Sequence, residues 1–299
     1  MTMHDEDTPA EPPTWTAAPS KPKLALPPGA CDAHVHVFGP RRRFPFPKGR
    51  SYTPSDAPKE KLFALHEFLG IKRCLIVHTA AHGHDLSVTA DALAVKGGTY
   101  LGVGLMPIDT TDAELKRLDA AGFRGARFHY MKHVGPGQPI DAVIEFGKRL
   151  ADIGWHLQIH MAADLIGELT PAIRRSPVPV VIDHMGRIDA SLGLSQEPFT
   201  NLLRLMDNEH VWVKVSGSDR ATRQGPPYAD AVPFAHKLVT EFGDRCVWGL
   251  DWPHPNHQGP VPDDGVLVDL LAQIAPSPAA LQALLVDNPQ RLYRFAKRT

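Results

Sequence analysis

The hydrophobic pattern of the chain alternates between short apolar runs and longer amphipathic segments. Residues 73–78 (Arg-Cys-Leu-Ile-Val-His) form a short apolar run, which is typical of a buried parallel strand. Residues 59–69 before this run have the spacing of an amphipathic helix. Because the alternation continues to the end of the chain, it predicts eight strands, each followed by a helix. After a first strand within residues 31–40, the predicted strands are 73–78, 100–105, 125–129, 156–160, 178–183, 211–215 and 246–249. The predicted helices are 59–69, 86–95, 112–121, 140–153, 165–175, 199–208, 231–242 and 266–274, with two further helical pieces at 278–286 and 289–297.

Regular alternation of strands and helices predicts an α/β fold with a parallel sheet, and eight such units match a (β/α)8 TIM barrel. A doubly wound open sheet is the alternative, but it normally carries a glycine-rich turn after its first strand. No Gly-x-Gly-x-x-Gly motif follows the first strand here. We therefore predict a barrel domain over residues 25–299, preceded by a flexible, proline-rich tail over residues 1–24.

The first predicted strand, in the stretch Cys-Asp-Ala-His-Val-His-Val-Phe-Gly-Pro at residues 31–40, contains two histidines two positions apart. Side chains two apart in a strand share a face, so His34 and His36 point the same way. Two neighbouring imidazoles at a strand end can chelate a divalent metal or hold a polar substrate, and they can equally be ordinary polar residues.

Ionisable residues stand at the carboxyl ends of most of the other predicted strands, where TIM barrels collect their chemistry. Burying so many of them without pairing or function would cost several kcal/mol each. They are His78, Arg127 and His129, His160, Asp183 and His184, Lys214 with Arg220, and Asp251, with His254 close behind.

One metal-binding site accounts for several of these residues. His34, His36, His160, His184 and Asp251 make a plausible ligand set for Zn²⁺, whose bound water becomes more acidic. Asp251 can instead, or in addition, act as the base that deprotonates a water molecule. His160 and His184 have the alternative of orienting the ligands or contacting substrate.

Three arginines, Arg127, Arg187 and Arg220, follow strands and suit the recognition of a carboxylate or sulfonate by paired hydrogen bonds. The alternative for each is an ion pair with an aspartate such as Asp183, Asp189 or Asp219. Further candidate substrate contacts are Tyr52, His78, His129 and His254.

Composition limits the classes of function. The 299 residues are 43% hydrophobic and 22% charged, and the formal net charge of −1 gives no global attraction to nucleic acid or a membrane. No apolar run has the length of a membrane helix, and the N-terminus lacks the pattern of a signal peptide, so we expect a cytoplasmic protein. No feature of the sequence specifies an oligomeric state, which leaves a homo-oligomer open.

These residues resemble the amidohydrolase superfamily, whose signature is His-x-His on strand 1, single histidines after strands 5 and 6, and an aspartate after strand 8. The stretches Asp-His-Met-Gly-Arg at 183–187 and Trp-Gly-Leu-Asp-Trp-Pro-His-Pro at 248–255 resemble its lactone-hydrolase branch, which includes 2-pyrone-4,6-dicarboxylate lactonases and 4-sulfomuconolactone hydrolases. The resemblance implies ring opening of a small anionic lactone by water, with Asp251 as the base. It also implies that Arg127, Arg187, Arg220 and Tyr52 hold the acidic groups of the substrate.

Departures from the branch favour one of its members. Pyrone-dicarboxylate lactonases work without metal and have a tyrosine at the position of His160, a serine near Ala80 and an arginine near His133. Strand 4 has no lysine to bridge two metals, so the resemblance implies a single zinc ion. It therefore implies a metal-dependent sulfomuconolactone hydrolase, which gives maleylacetate and sulfite, or a relative of these enzymes with another substrate. The alternatives are a metal-independent pyrone-dicarboxylate lactonase, a related decarboxylase, and a barrel that only binds an acidic ligand.

Overall fold

The computed structural model of the protein describes residues 11–132, 134–135 and 137–296. In this part of the chain, eight parallel strands lie side by side in sequence order and curl into a barrel with helices between them. The predicted (β/α)8 TIM barrel is confirmed. The strands are β1 Cys31–Val35, β2 Arg73–Val77, β3 Tyr100–Leu105, β4 Phe123–Tyr130, β5 His156–Met161, β6 Val180–Ile182, β7 Val211–Lys214 and β8 Cys246–Val247.

The helices lie on the outside of the strands and bury one face against them, as their amphipathic spacing requires. The helix after β1 begins and ends at the predicted residues, and Gly70 ends it in the left-handed conformation that favours glycine. The helices are α1 Lys59–Leu69, α2 Ser87–Val95, α3 Asp112–Ala120, α4 Ile140–Ala151, α5 Ile166–Ile173, α6 Glu197–Met206, α7 Ser218–Ala221, α8 Val232–Phe242, α9 Asp264–Asp269, α10 Leu271–Ile274, α11 Pro278–Gln282 and α12 Asn288–Tyr293, with a π-helical turn at Ala283–Asp287. None of the helices in the described residues is both long and apolar enough to cross a bilayer.

The barrel closes where β1 meets the chain that follows β8. The N–H of Ala33 donates to the carbonyl of Trp248 at 2.8 Å, and the N–H of Asp251 donates to the carbonyl of His34 at 2.7 Å. This seam therefore places His34 and Asp251 next to each other in space, although 217 positions of sequence number separate them.

Gly249 makes the close approach at the seam possible. A Cβ atom at this position would lie 2.4 Å from the backbone nitrogen of His34 and 2.7 Å from its Cβ atom. Real Cβ atoms do not approach other atoms so closely, so any larger residue would push the two strands apart.

The segment before β1 lies against the barrel over the part that the structure describes. The ring of Trp15 packs on that of Trp252 with centroids 5.7 Å apart, and the backbone N–H of Leu24 donates to Asp269 at 2.9 Å. The predicted flexibility of the first 24 residues stays a prediction, and the first ten lie outside the described chain.

Candidate active site

The carboxyl ends of the strands bring the predicted imidazoles and Asp251 into one buried group. His34 and His36 lie at the end of β1 and just beyond it, on one face as their spacing predicts. His184 lies two residues after the end of β6, and Asp251 follows β8. Each of these side chains is nearly inaccessible to solvent. The convergence that the strand-end positions predict is therefore present.

A single carboxylate oxygen lies at the centre of the group. Oδ1 of Asp251 is 3.0 Å from Nε2 of His36 and 3.6 Å from Nε2 of both His34 and His184. The other oxygen, Oδ2, accepts a hydrogen bond from Nε of Arg220. The carboxylate thus joins three imidazoles on one side to a guanidinium on the other.

The tautomer of His36 follows from its other contact, whereas His34 lies between an acceptor and a donor. Nδ1 of His36 is 2.6 Å from the carbonyl oxygen of Val77, so Nδ1 carries the proton and Nε2 presents a lone pair. Nδ1 of His34 lies 3.3 Å from Oδ1 of Asp183, an acceptor, and 3.3 Å from Nζ of Lys214, a donor, so its two contacts are compatible with either tautomer. Nε2 of His34 is buried and has no hydrogen-bond partner in the described residues.

This arrangement fits a divalent metal. Ligand atoms of His34, His36 and Asp251 all lie within 4.8 Å of one another. The lone pair of His36 that faces the carboxylate oxygen repels it unless a cation or a proton lies between them. Imidazole and carboxylate ligands with hydrogen-bonded outer nitrogens are the donor set of many zinc sites. The residues present therefore suit one zinc ion.

Burial keeps the imidazoles neutral, and the charges around the group keep Asp251 ionised. Burial lowers the pKa of His36, although Asp251 opposes the shift, and burial lowers the pKa of His184 to about 4. Burial and the ammonium group of Lys214 both lower the pKa of His34. Burial alone would raise the pKa of Asp251, but Arg220 and the surrounding imidazoles lower it well below its usual range.

A buried charge network lies beneath His34. Asp183 accepts hydrogen bonds from Nε of Arg127 at 3.0 Å and from the amide of Gln158 at 3.1 Å. Lys214 lies in the same layer and donates to Gln158 and to the carbonyl of Ala33, both at 2.9 Å. For Arg127, the ion pair with Asp183 that the sequence left open is present, and Arg127 also borders the cavity above.

His184 is held from behind by β7 and the turn that follows it. Its Nδ1 lies 2.9 Å from the hydroxyl oxygen of Ser216. Gly217 packs directly on the imidazole: its φ is +76°, and a Cβ atom there would lie 3.0 Å from Cβ of His184. If Ser216 donates to Nδ1, Nε2 of His184 carries a proton and points towards Asp251.

His160 lies in the same cavity but apart from the three-residue ligand group. It is paired with His129 across neighbouring strands, with the two Nδ1 atoms 3.1 Å apart. Its Nε2 is buried without a hydrogen-bond partner in the described chain, and its ring centroid is 5.8 Å from that of His184. A role for His160 as a metal ligand or as a substrate contact stays a prediction.

A cavity of about 390 Å³ opens above the group. Arg187 borders it, and within the described residues no carboxylate lies within ion-pair distance of this guanidinium. Burial, together with the nearby Arg220, lowers the pKa of Arg187 to about 10. The other predicted site residues that line the cavity are Tyr52, Arg127, His129, His160, Arg220, His36, His184 and Asp251.

Two predicted substrate contacts, His78 and His254, are not among the residues that line this cavity. Nδ1 of His78 is 2.9 Å from the hydroxyl of Thr89, and Nε2 of His254 is 3.1 Å from Asp264. Both side chains are buried. Contact with substrate stays a prediction for both residues.

Several neutral polar residues in the cavity lining were not singled out from the sequence. Three of them come from loops that no strand-end position marks, whereas Thr79 directly follows the predicted strand 73–78 and could have been found from that position. His133, which the family comparison concerns, lies outside the described residues. The additional residues are Ser51, Thr79, Asn256 and Gln258.

Comparison with known proteins adds to this geometry. Residues 31–295 match the model of the amidohydrolase family. The chain is 45% identical to a 2-pyrone-4,6-dicarboxylate hydrolase of Comamonas testosteroni over 93% of this chain and 94% of that protein. It is 41% identical to a 4-sulfomuconolactone hydrolase of Rhizobium radiobacter, over 90% and 91% of the two chains. A solved structure from Pseudomonas putida, named as a candidate 2-pyrone-4,6-dicarboxylic acid hydrolase, is similar with a TM-score of 0.79 and 31% identity, over 91% of this chain and 100% of that one.

Proposed function

The chain belongs to the amidohydrolase family, and on that premise we propose that it is a lactone hydrolase that opens a small anionic lactone by attack of water. The observation that carries the proposal is the position of Asp251, whose Oδ1 faces three imidazole nitrogens at the base of a cavity bordered by arginines. Such a cavity suits a small acidic substrate, and the carboxylate suits a base.

Asp251 is the group that removes the proton from the attacking water. Its pKa lies well below the usual range because Arg220 and the imidazoles stabilise the charge, so it is ionised at neutral pH. Water adds to the lactone carbonyl, and a new carbon–oxygen bond forms. The ring ester bond then breaks, and the ring oxygen leaves with a proton, so that one water molecule is consumed for each ring opened.

His184 is placed to stabilise the negative charge that develops on the carbonyl oxygen. With Ser216 donating to its Nδ1, His184 is a neutral donor at Nε2. A preorganised donor of this kind is typically worth about 10²–10³-fold in rate. His184 is therefore assigned to the oxyanion, and Asp251 to the water.

His34, His36 and Asp251 would hold a zinc ion, and His184 lies beside them. Bound zinc would act as a Lewis acid that polarises the carbonyl and makes water more acidic. The unprotonated Nε2 of His36, whose lone pair faces a carboxylate, and the buried, unpartnered Nε2 of His34 support this assignment.

The guanidinium groups are assigned to the acidic substituents of the substrate. Arg127 and Arg220 already bind Asp183 and Asp251, whereas Arg187 borders the cavity without a carboxylate partner in the described chain. Arg187 is therefore the main anchor of the acidic group, and the other two complete its surroundings. A planar guanidinium suits both a carboxylate and a sulfonate.

The substrate proposed is 4-sulfomuconolactone or a close relative. Ring opening leaves a hydroxyl and the sulfonate on one carbon, and as this carbon becomes a ketone its hydroxyl loses a proton, its carbon–sulfur bond breaks and sulfite leaves, which gives maleylacetate. His160 in the cavity supports this choice over 2-pyrone-4,6-dicarboxylate. The second candidate is metal-independent hydrolysis of the pyrone, and the 45% identity to a pyrone-dicarboxylate hydrolase favours it.

A panel of lactones tests the proposal. Sulfomuconolactone, pyrone dicarboxylate, muconolactone and sugar lactones are incubated with the protein after chelation and after zinc loading. We expect zinc-dependent opening of sulfomuconolactone. Fast opening of the pyrone by the chelated protein would select the second candidate, release of carbon dioxide would select a decarboxylase, and failure to open any lactone would reject a lactone hydrolase.

A further inference from the structure

Three buried polar side chains are linked by hydrogen bonds in a row that runs from the outside of the barrel to the seam beneath the candidate active site. The hydroxyl of Tyr100 on β3 lies 2.7 Å from Nδ1 of His66 on α1, and Nε2 of His66 lies 3.2 Å from Oδ2 of Asp32 on β1. All three side chains are almost fully buried. None of them lines the cavity that holds Asp251.

The direction of the hydrogen bonds is fixed by the chemistry of the three groups. A carboxylate oxygen accepts, so Nε2 of His66 donates to Oδ2 of Asp32. The hydroxyl of Tyr100 is a donor for Nδ1 of His66. Burial raises the pKa of Tyr100, which keeps this hydroxyl protonated and suited to donate.

Asp32 uses its second oxygen at the seam itself. Oδ1 accepts from the backbone N–H of His34 at 3.0 Å and from that of Leu250 at 3.1 Å. These two amides belong to opposite sides of the barrel closure. Each is within one residue of a group in the candidate active site, namely His34 itself and Asp251.

One carboxylate therefore bridges the two sides of the seam and, together with the direct backbone hydrogen bonds there, sets the spacing between the imidazoles of β1 and the proposed base after β8. The gap is narrow, because a Cβ atom on Gly249 would lie 2.8 Å from Oδ1 of Asp32. A carboxylate that could rotate would release both amides, and His66 is the side chain that holds its other oxygen. Buried polar networks that are fully satisfied are rigid in this way.

We infer that Asp32, His66 and Tyr100 are positioning residues that set the distance between His34 and Asp251 by holding the seam amides. The inference rests on the proposed function only for the measurements of kcat and KM, because amide exchange and zinc affinity do not require turnover. Misplacement of a reacting group by about 1 Å can cost on the order of 100-fold in rate. Loss of the hydrogen bond between His66 and Asp32 should thus lower kcat far more than it changes KM, since Asp32, His66 and Tyr100 do not line the cavity.

The test compares three substitutions with a matched control. His66→Phe removes both hydrogen bonds, His66→Gln keeps a donor for Asp32, and Tyr100→Phe removes only the hydroxyl. His156→Phe is the control, because it is the same exchange at another buried histidine, which begins β5 at the amino ends of the strands. The measurements are kcat, KM, zinc affinity, thermal unfolding, and amide hydrogen exchange in residues 31–36 and 248–252.

His66→Phe is expected to speed amide exchange in both segments, to weaken zinc binding by roughly 10- to 100-fold, and to lower kcat by a similar factor with KM nearly unchanged. His66→Gln should restore most of each effect, and Tyr100→Phe should give a smaller change in the same direction. His156→Phe should leave amide exchange at the seam, zinc affinity, kcat and KM unchanged, even at the same loss of thermal stability.

Unchanged exchange at the seam in both His66→Phe and Tyr100→Phe would overturn the inference. Equal effects in His66→Phe and His156→Phe would do so as well, because general destabilisation would then explain them. If His66→Phe does not fold, the same measurements on His66→Gln and Tyr100→Phe test the inference. If the wild-type protein opens no lactone, the proposed function fails, and exchange and zinc affinity still decide this inference.

Discussion

At the residue scale, Asp251 is the side chain on which the proposed chemistry depends. It is nearly inaccessible to solvent, yet it stays ionised because Arg220 and three imidazoles surround it. Its position could be predicted from the sequence, since it follows a predicted strand. Its partnership with Arg220, 31 positions earlier, could not, because the turn that brings them together has no periodic signal.

Replacement of this carboxylate by an amide removes the base with little change of shape. Asp251→Asn is expected to lower kcat for lactone opening by about 10²–10⁴-fold. Asp189→Asn, at a partly exposed aspartate that pairs with Arg223, is the control and should leave kcat unchanged. An Asp251→Asn protein that retains more than a tenth of the wild-type kcat would not fit a role as the base.

The separation of His160 from the ligand group leads to a prediction about metal content. His36→Gln should lose zinc, because Nε2 of His36 is one of the three ligand atoms that lie together. His160→Gln should keep its zinc and lose activity, because its unpartnered Nε2 faces the cavity without joining that group. The check is metal analysis of both purified variants, and equal zinc loss in the two would place His160 among the ligands.

At the element scale, the periodicity predicted which segments are strands and helices better than where they end. The predicted strand 178–183 is shortened to Val180–Ile182, since Pro179 has no N–H to donate to a neighbouring strand. The predicted helix 266–274 is instead two helices, Asp264–Asp269 and Leu271–Ile274. Asp263 caps the first one by accepting from the N–H of Gly265.

The seam between β1 and β8 is an element that no periodicity reveals. Gly249→Ala is expected to lower the free energy of unfolding by about 1–3 kcal/mol, because its methyl group would overlap the backbone of His34. Activity should fall with it, since His34 and Asp251 flank the seam. The control is Gly243→Ala, where a Cβ atom would meet no atom within 4 Å. Urea unfolding checks the prediction, and equal stabilities of the two variants would refute it.

At the scale of the whole molecule, the order of strands and helices was enough to predict where most of the site residues lie. A (β/α)8 barrel puts the carboxyl ends of all strands on one face, so His34, His184 and Asp251 converge once the fold is correct. The partners of the buried histidines could not be predicted. His78 pairs with Thr89 on α2, and His254 pairs with Asp264, and both contacts depend on how loops and helices pack.

Buried neutral histidines make the stability of the whole fold sensitive to acid. Burial lowers the pKa of His156 to about 3, whereas its pKa in the unfolded chain is about 6.5. Below the unfolded pKa the unfolded chain binds a proton that the native protein does not, so stability falls as the pH falls from about 6.5 towards about 3.

The same residue offers a direct check of this acid sensitivity. His156→Phe removes one titrating group, so the free energy of unfolding should fall less steeply between pH 4.5 and 6.5, by about 1 kcal/mol per pH unit. Urea unfolding of the wild-type and variant proteins at several pH values gives the two slopes. Parallel slopes would show that His156 is not held neutral by the fold.

Lactone opening in ¹⁸O-labelled water tests the central claim most directly, namely that Asp251 and the converging imidazoles activate a water molecule. Mass spectrometry of the product should find one solvent oxygen in the new carboxylate for each ring opened by the wild-type protein, with Asp251→Asn giving almost no labelled product. Ring opening without the label, or labelling at the wild-type rate by Asp251→Asn, would contradict the account.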